Sequence, residues 1–253
     1  MMEQGHQVTL FCHEKVENVP ERVEIRDARE VTGDRPVLMH LRDWQNKFSR
    51  FPSPALFADQ FRYLMIKQLG FIWLDLDCFL LSPLKPVDGY LLAWQDSAFI
   101  NNAILTLPKT SNTLNDLIDF CEDEYPIPPF VSFRWRFKLH FMMLVGKPIH
   151  ITCQKWGVWG PRALTHFLCK NNEDQYALDR KLFYPIPPED TDEKWRAGKS
   201  PFLLPSDEVK MYYIKDAISV HLFGSTINPR IKSMGIENIP RGSYLEEIIK
   251  YGE

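Results

Sequence analysis

No stretch of this sequence approaches the ~18 consecutive apolar residues that a membrane-spanning helix needs. The opening MMEQGHQVTL also lacks the apolar core that marks a secretory signal. A transmembrane span and export by that route are therefore not expected. Basic charge is not in excess either, since 30 Lys and Arg stand against 33 Asp and Glu, giving a formal net charge of −3 and a pI near 6.2. Nothing in that balance draws the chain to nucleic acid, which calls for a basic face. There is no C-x-x-C pair, no internal repeat and no low-complexity tract. The five cysteines, Cys12, Cys78, Cys121, Cys153 and Cys169, form an odd set mostly in apolar company. That favours buried, reduced thiols and a reducing, cytoplasmic compartment.

What is present is the composition of a folded enzyme-sized unit. The 253 residues are 45% hydrophobic and 25% charged, enough for one large domain spanning 1–253. Strands are expected at 7–12 and 22–27, the second by its alternation of apolar and polar residues. Leu56, Phe57, Phe61, Leu64, Met65 and Leu69 recur at helical spacing between Pro54 and Gly70, which predicts a helix over 53–70. The apolar run 71–74 reads as a strand, followed by strands at 90–94 and 101–107. A helix begins near Thr110 or Ser111 as cap. Residues 125–150 fit strand and helix equally well. A helix follows Gly160-Pro161, five prolines mark 184–205 as a long surface loop, a last strand covers 217–222, and 226–253 reads as a polar tail. Strands alternating with helices make an α/β fold.

The sharpest chemical feature is Asp75-Leu76-Asp77 at the carboxyl end of the strand 71–74. Open α/β sheets place ligands at such ends. Two carboxylates this close repel and raise each other's pKa unless a hard divalent cation such as Mg²⁺ or Mn²⁺ takes their oxygens, and that cation can bridge to a diphosphate. Solvated acids in a strand-end turn are the plain alternative. Asp59 and Arg62, three apart on the preceding helix, can approach the same site or form an ordinary surface ion pair.

The stretch FADQFRYLMIKQLGFIWLDLDCFLLSPL resembles glycosyltransferases containing the DXD sugar-binding motif, a group related to initiating mannosyltransferases, capsular and lipopolysaccharide sugar transferases and clostridial glucosylating toxins. Asp59, Arg62, Tyr63, Gly70, Asp75, Asp77 and Pro83 match its pattern, while Ala58, Phe71 and Trp73 replace a serine, a glycine and a tyrosine. Asn101-Asn102-Ala103, Gly160-Pro161 and His221-Leu222 are similar to further segments of that family. The resemblance implies a GT-A-like, doubly wound mixed sheet. It also implies transfer of a sugar, with retention, from a nucleoside diphosphate sugar (a UDP-sugar favoured) to a glycan or lipid-linked acceptor. Asp75, Asp77 and His221 are then candidate ligands for Mn²⁺ or Mg²⁺. Asp59, Arg62, Asp75, Asn102 and Gly160 are candidates for holding the donor. Asp77 and Asp96 are the candidate catalytic acids, Asp96 standing near the anomeric centre. The family normally carries a strand and helix ahead of the position of Met1, so that first strand and part of its helix are expected to be missing here. Two other readings stand beside this one: a noncatalytic nucleotide-sugar-binding protein of the same fold, and a phosphatase of the haloacid dehalogenase type. The run Phe133-Arg134-Trp135-Arg136-Phe137-Lys138 suggests a peripheral contact with an anionic membrane or a strand with one buried face. Trp94, Trp156 and Trp159 are possible platforms for an acceptor sugar.

Overall fold

The apolar alternation near the amino end is realised as two parallel strands, β1 (Val8–Cys12) and β2 (Val23–Asp27), with Val8 opposite Val23 and Cys12 opposite Asp27. The computed structural model describes residues 1–42, 47–188, 194, 195 and 197–251. A short helix, α1 (Arg29–Thr32), buries Val31 and Thr32, and a bulged antiparallel pair, β3 (His40–Arg42) and β4 (Phe48–Ser53), leads to the main helix.

That helix, α2 (Ala55–Leu69), forms where the periodicity predicts it. Gly70 ends it with φ 71°, a left-handed conformation that a residue with a Cβ adopts only under strain, and returns its N–H to the Ile66 carbonyl. Every residue from Leu56 to Ile66 except Ala58 is buried, so α2 is a central element and not a surface one. Apolar side chains of this size contribute about 1.5–3 kcal/mol each when fully buried. Phe61 ties α2 to β1 through Phe11, with ring centroids 5.4 Å apart, and to the next strand through Trp73 at 5.9 Å.

β5 (Trp73–Leu74) lies antiparallel to β8 (Ile100–Thr106), which lies antiparallel to β7 (Leu91–Trp94). All seven residues of β8 are buried. β5 is shorter than the expected 71–74, and Phe71 is partly exposed ahead of it. α3 (Asn112–Cys121) starts at Ser111, whose hydroxyl accepts from the Leu114 N–H, and α5 (Pro161–Lys170) starts with proline in its first turn after Gly160. Together α2, β8, α3 and α5 enclose the largest apolar cluster, with Ile66, Ile100, Leu117, Trp159 and Leu164 at its centre.

The stretch 125–150 contains a helix, α4 (Phe133–Leu144), and not a half-buried strand; Leu139 is its one buried residue. Two further corrections concern the carboxyl end. The segment 184–205 is not simply a surface loop, because Ile186, Trp195 and Phe202 enter a second apolar cluster; 189–193 and 196 lie outside the described residues. The stretch 226–253 is not a polar tail, since α8 (Gly224–Met234) and α9 (Tyr244–Lys250) bury Ile227, Tyr244 and Leu245 in that cluster, beside α7 (Ser206–Tyr212) with its buried Val209. The remaining elements, β6 (Cys78–Leu80), α6 (Arg180–Phe183) and β9 (Ser219–His221), join the two regions, with β6 and β9 antiparallel. The result is a mixed α/β architecture of four small sheets and nine helices among the described residues. All five cysteines are free thiols, but only Cys78 and Cys121 are buried; Cys12 and Cys153 are half-buried and Cys169 is exposed, against the expectation of general burial.

Candidate functional site

The site begins with two charged side chains in the wall of the core. Asp59 and Arg62 stand one turn apart on α2 and are 7% and 5% exposed, where an isolated charge would lose several kcal/mol of hydration. They are therefore paired, with Arg62 Nη2 3.4 Å from Asp59 Oδ1. Asn102 on β8 donates from Nδ2 to the same Asp59 oxygen at 2.8 Å, and its carbonyl accepts from Arg62 Nη1. Arg62 also donates from Nε to the Ala58 carbonyl, lies 4.7 Å from the centre of the Trp73 ring and approaches Asp75 Oδ1 to 3.6 Å. Burial alone would lower the Arg62 pKa, but Asp75 and Asp59 outweigh it and hold the guanidinium charged. Burial is the stronger effect at Asp59, where it raises the carboxyl to about 6 in spite of Arg62 and the Asn102 bond.

Gly160 is packed onto this cluster. A Cβ there would lie 2.9 and 3.2 Å from the two Asp59 carboxylate oxygens and 3.3 Å from Asn102 Nδ2. The absence of a side chain thus lets the start of α5 approach the pair. Of the five residues expected to hold a donor, Asp59, Arg62, Asp75, Asn102 and Gly160, the structure brings all into one connected set.

The two motif aspartates diverge. Asp75 extends the β5–β8 pairing by donating its N–H to the Ala103 carbonyl at 2.8 Å, and its carboxylate accepts from Trp73 Nε1 at 2.6 Å on the Arg62 side. A tight turn then exposes Leu76 at its tip and closes through the Cys78 N–H on the Asp75 carbonyl. Asp77 faces the other way. The β6–β9 register sets Cys78 opposite His221, and the Leu222 N–H continues the ladder onto the Asp77 carbonyl. His221 Nε2 therefore comes within 3.1 Å of Asp77 Oδ1, while Oδ2 accepts the Gly224 N–H at 2.7 Å where α8 begins. Burial pushes the Asp77 carboxyl up, but the bonds from His221 and Gly224 prevail and hold it below the ordinary carboxylate range. Phe223, held at φ 50°, turns the chain from β9 into α8 and places its ring 4.1 Å from that of His221.

One oxygen of Asp77, the Cys78 sulfur and one His221 ring nitrogen lie within 4.8 Å of one another. Asp75 stands outside this group, on Arg62. Sequence reading missed Cys78, whose place depends on a strand register with residues more than 140 positions away. Asp96 is held in the turn between β7 and β8, where its carboxylate accepts from the N–H groups of Ala98 and Phe99 and from Gln95 Nε2. Trp159 is wholly buried and fills the core, and Trp156 meets His40 edge-on.

Residues 5–98 match the family model of the glycosyltransferase sugar-binding region containing DXD motif. This is the family that the stretch around Asp75 and Asp77 resembles. The matched DXD region holds β1, β2, α2 and β5 together with Asp59, Arg62, Asp75 and Asp77, whereas Asn102, Gly160 and His221 lie beyond it. No curated protein and no solved structure matches the chain. The likeness to glycosyltransferases thus rests on the DXD region, and Asp59, Arg62, Asp75 and Asp77 all lie inside it. No described helix is long and apolar enough to cross a membrane.

Proposed function

We propose that the chain transfers a hexose from a nucleoside diphosphate sugar, a UDP-sugar in the first instance, to a hydroxyl of a glycan or lipid-linked acceptor, with retention at the anomeric carbon, on a GT-A-like doubly wound frame. The observation that carries this is the meeting of Asp77 and His221 across 144 positions of sequence, beside the paired Asp59, Arg62 and Asp75 of the same DXD region.

The donors present suit Mn²⁺ or Mg²⁺, as the family leads one to expect. Two ligands about 2.1 Å from an octahedral ion and at right angles to each other lie about 3 Å apart, and Asp77 Oδ1 and His221 Nε2 stand at 3.1 Å. A carboxylate favours Mg²⁺ and Mn²⁺, and the imidazole tips the pair toward the transition metal. When bound, the ion neutralises charge on the departing diphosphate. Asp77 and His221 would hold it beside the Cys78 sulfur, while Asp75 stays on the Arg62 side.

The chain's own residues do the positioning. Arg62, held over the Trp73 ring and kept charged by Asp75 and Asp59, offers a forked donor for phosphate or sugar oxygens. Asp59 and Asn102 present acceptor and donor atoms to sugar hydroxyls, and Gly160 leaves them room. In the transfer the bond from the anomeric carbon to the phosphate oxygen breaks, a bond from that carbon to the acceptor hydroxyl forms on the same face, and the hydroxyl proton passes to the leaving phosphate. The five free thiols support a reducing, cytoplasmic setting.

Isothermal titration of UDP and then GDP with Mn²⁺ tests the reading, alongside Asp77→Ala and His221→Ala. Binding that requires the ion and disappears in both variants is the expected result. Binding that is equal with and without Mn²⁺, or unchanged in both variants, refutes the metal site. Binding without any release of sugar onto glycan acceptors makes the chain a nucleotide-sugar-binding protein.

A further inference from the structure

We propose that α4 is a membrane-docking element that lays its outer face in the headgroup layer of an anionic bilayer. Most helices of this fold bury one face, but α4 buries only Leu139, with Trp135 and Met142 half-buried beside it. On the opposite side Phe133, Phe137, Phe141 and Leu144 are 79%, 65%, 53% and 85% exposed. Spaced by four, four and three positions, they fall on one stripe about 80° wide. Arg134 and Lys138 run along one border of the stripe, Arg136 and His140 along the other, and all four are exposed. Three exposed phenylalanines in a row are not a neutral surface in water, where apolar patches of this kind mark an interaction site.

Charge decides what covers it. Although the chain is acidic as a whole, residues 125–172 contain no Asp or Glu and carry seven Lys and Arg. No described acidic side chain pairs with Arg134, Arg136 or Lys138. A second copy of the chain would bring like charges together across the stripe, which opposes self-association. An anionic lipid surface meets both features at once, with acyl chains accepting the rings and headgroups neutralising the flanking cations. The inner face fixes the helix to the body, with Leu139 buried and the Trp135 ring packed 5.0 Å from Lys138 Nζ and 5.6 Å from Lys155 Nζ. This surface is independent of the transferase reading.

The test is co-sedimentation of the full chain with vesicles of phosphatidylcholine alone and of phosphatidylcholine mixed equally with phosphatidylglycerol. The wild-type chain is expected to pellet with the anionic vesicles and not with the neutral ones. The Arg134→Glu/Arg136→Glu/Lys138→Glu variant should lose on the order of a hundredfold in partitioning, about fivefold per cation removed. The Phe133→Ser/Phe137→Ser/Phe141→Ser variant should lose at least about tenfold. Because these side chains are exposed, circular dichroism and melting of both variants should match the wild type, separating lost docking from lost folding. A chain that stays in the supernatant with anionic vesicles, or binds them equally after either set of substitutions, overturns the proposal. So does a dimer dissolved by the serine variant while vesicle binding persists, which would give the stripe to a second copy.

Discussion

Replacing Gly160 with alanine is the most direct way to probe the buried cluster. The added methyl would sit 2.9 Å from Asp59 Oδ2 and 3.3 Å from Asn102 Nδ2, crowding both partners of one hydrogen bond. To regain an ordinary contact of 3.4 Å the carboxylate must retreat by 0.5 Å, and it has little freedom, being tied to Asn102 at 2.8 Å and to Arg62 at 3.4 Å. Weakening a buried hydrogen bond to a charged group costs roughly 1–3 kcal/mol. At about 2–4 °C per kcal/mol for a chain of this size, Gly160→Ala should melt roughly 2–12 °C lower. Gly160 also occupies the N-cap of α5, where alanine is itself unfavourable. A double-mutant cycle removes that contribution: with Asn102→Ala in place the carboxylate can turn aside, so the cost of Gly160→Ala should fall. An equal cost in both backgrounds, or a melting temperature unchanged from wild type, refutes the packing argument.

The raised pKa of Asp59 carries a pH signature. Its folded value of about 6 lies above the ordinary 3.8, so its share of stability is fully present below about pH 4 and is lost as pH rises through 6. That share is on the order of 3 kcal/mol. Urea titrations of wild type and Asp59→Asn should therefore diverge in the variant's favour between pH 4 and 7, and parallel profiles would contradict this. Asp77 has the opposite sign: its lowered pKa gives stability that is present above the ordinary value and lost in acid. Asp77→Ala should destabilise the chain by about 1–2 kcal/mol by uncapping α8, while Asp77→Asn keeps an acceptor for the Gly224 N–H and loses less; thermal melts distinguish the two. Ser111→Ala should cost about 0.5–2 kcal/mol through α3. Tyr63→Phe leaves the Trp159 carbonyl without its 2.8 Å partner and should cost about 1–3 kcal/mol by denaturant unfolding.

Legibility in the sequence followed local physics. α2 could be read because its apolar spacing and the glycine that stops it are both local, and the cap at Ser111 for the same reason. α4 could not, because apolar residues occupy both of its faces: Trp135, Leu139 and Met142 inward, Phe133, Phe137 and Phe141 outward. Two stripes cancel the 3.6-residue period that would announce a helix. The carboxyl-terminal helices were hidden because they are short and set between polar segments, although Tyr244, Leu245, Ile248 and Ile249 are spaced to share one face. Within the site, Asp59, Arg62, Asp75 and Asp77 were visible as a spaced motif. The proximity of Cys78 to His221 was not, since no local pattern encodes which residues two distant strands set face to face.

The short ladder between β6 and β9 also orders events in time. Asp77 leaves the ribosome long before His221 and Gly224, and its carboxylate has neither partner until the segment 219–224 has emerged. A ribosome-bound chain that ends before β9 can build α2 and the Asp59–Arg62 pair, but its second motif aspartate still faces water. Contacts of such long range close slowly, and during synthesis this one can close only after Gly224 has emerged. The candidate site is thus built in two instalments, and the second is added only when the segment 219–224 has emerged.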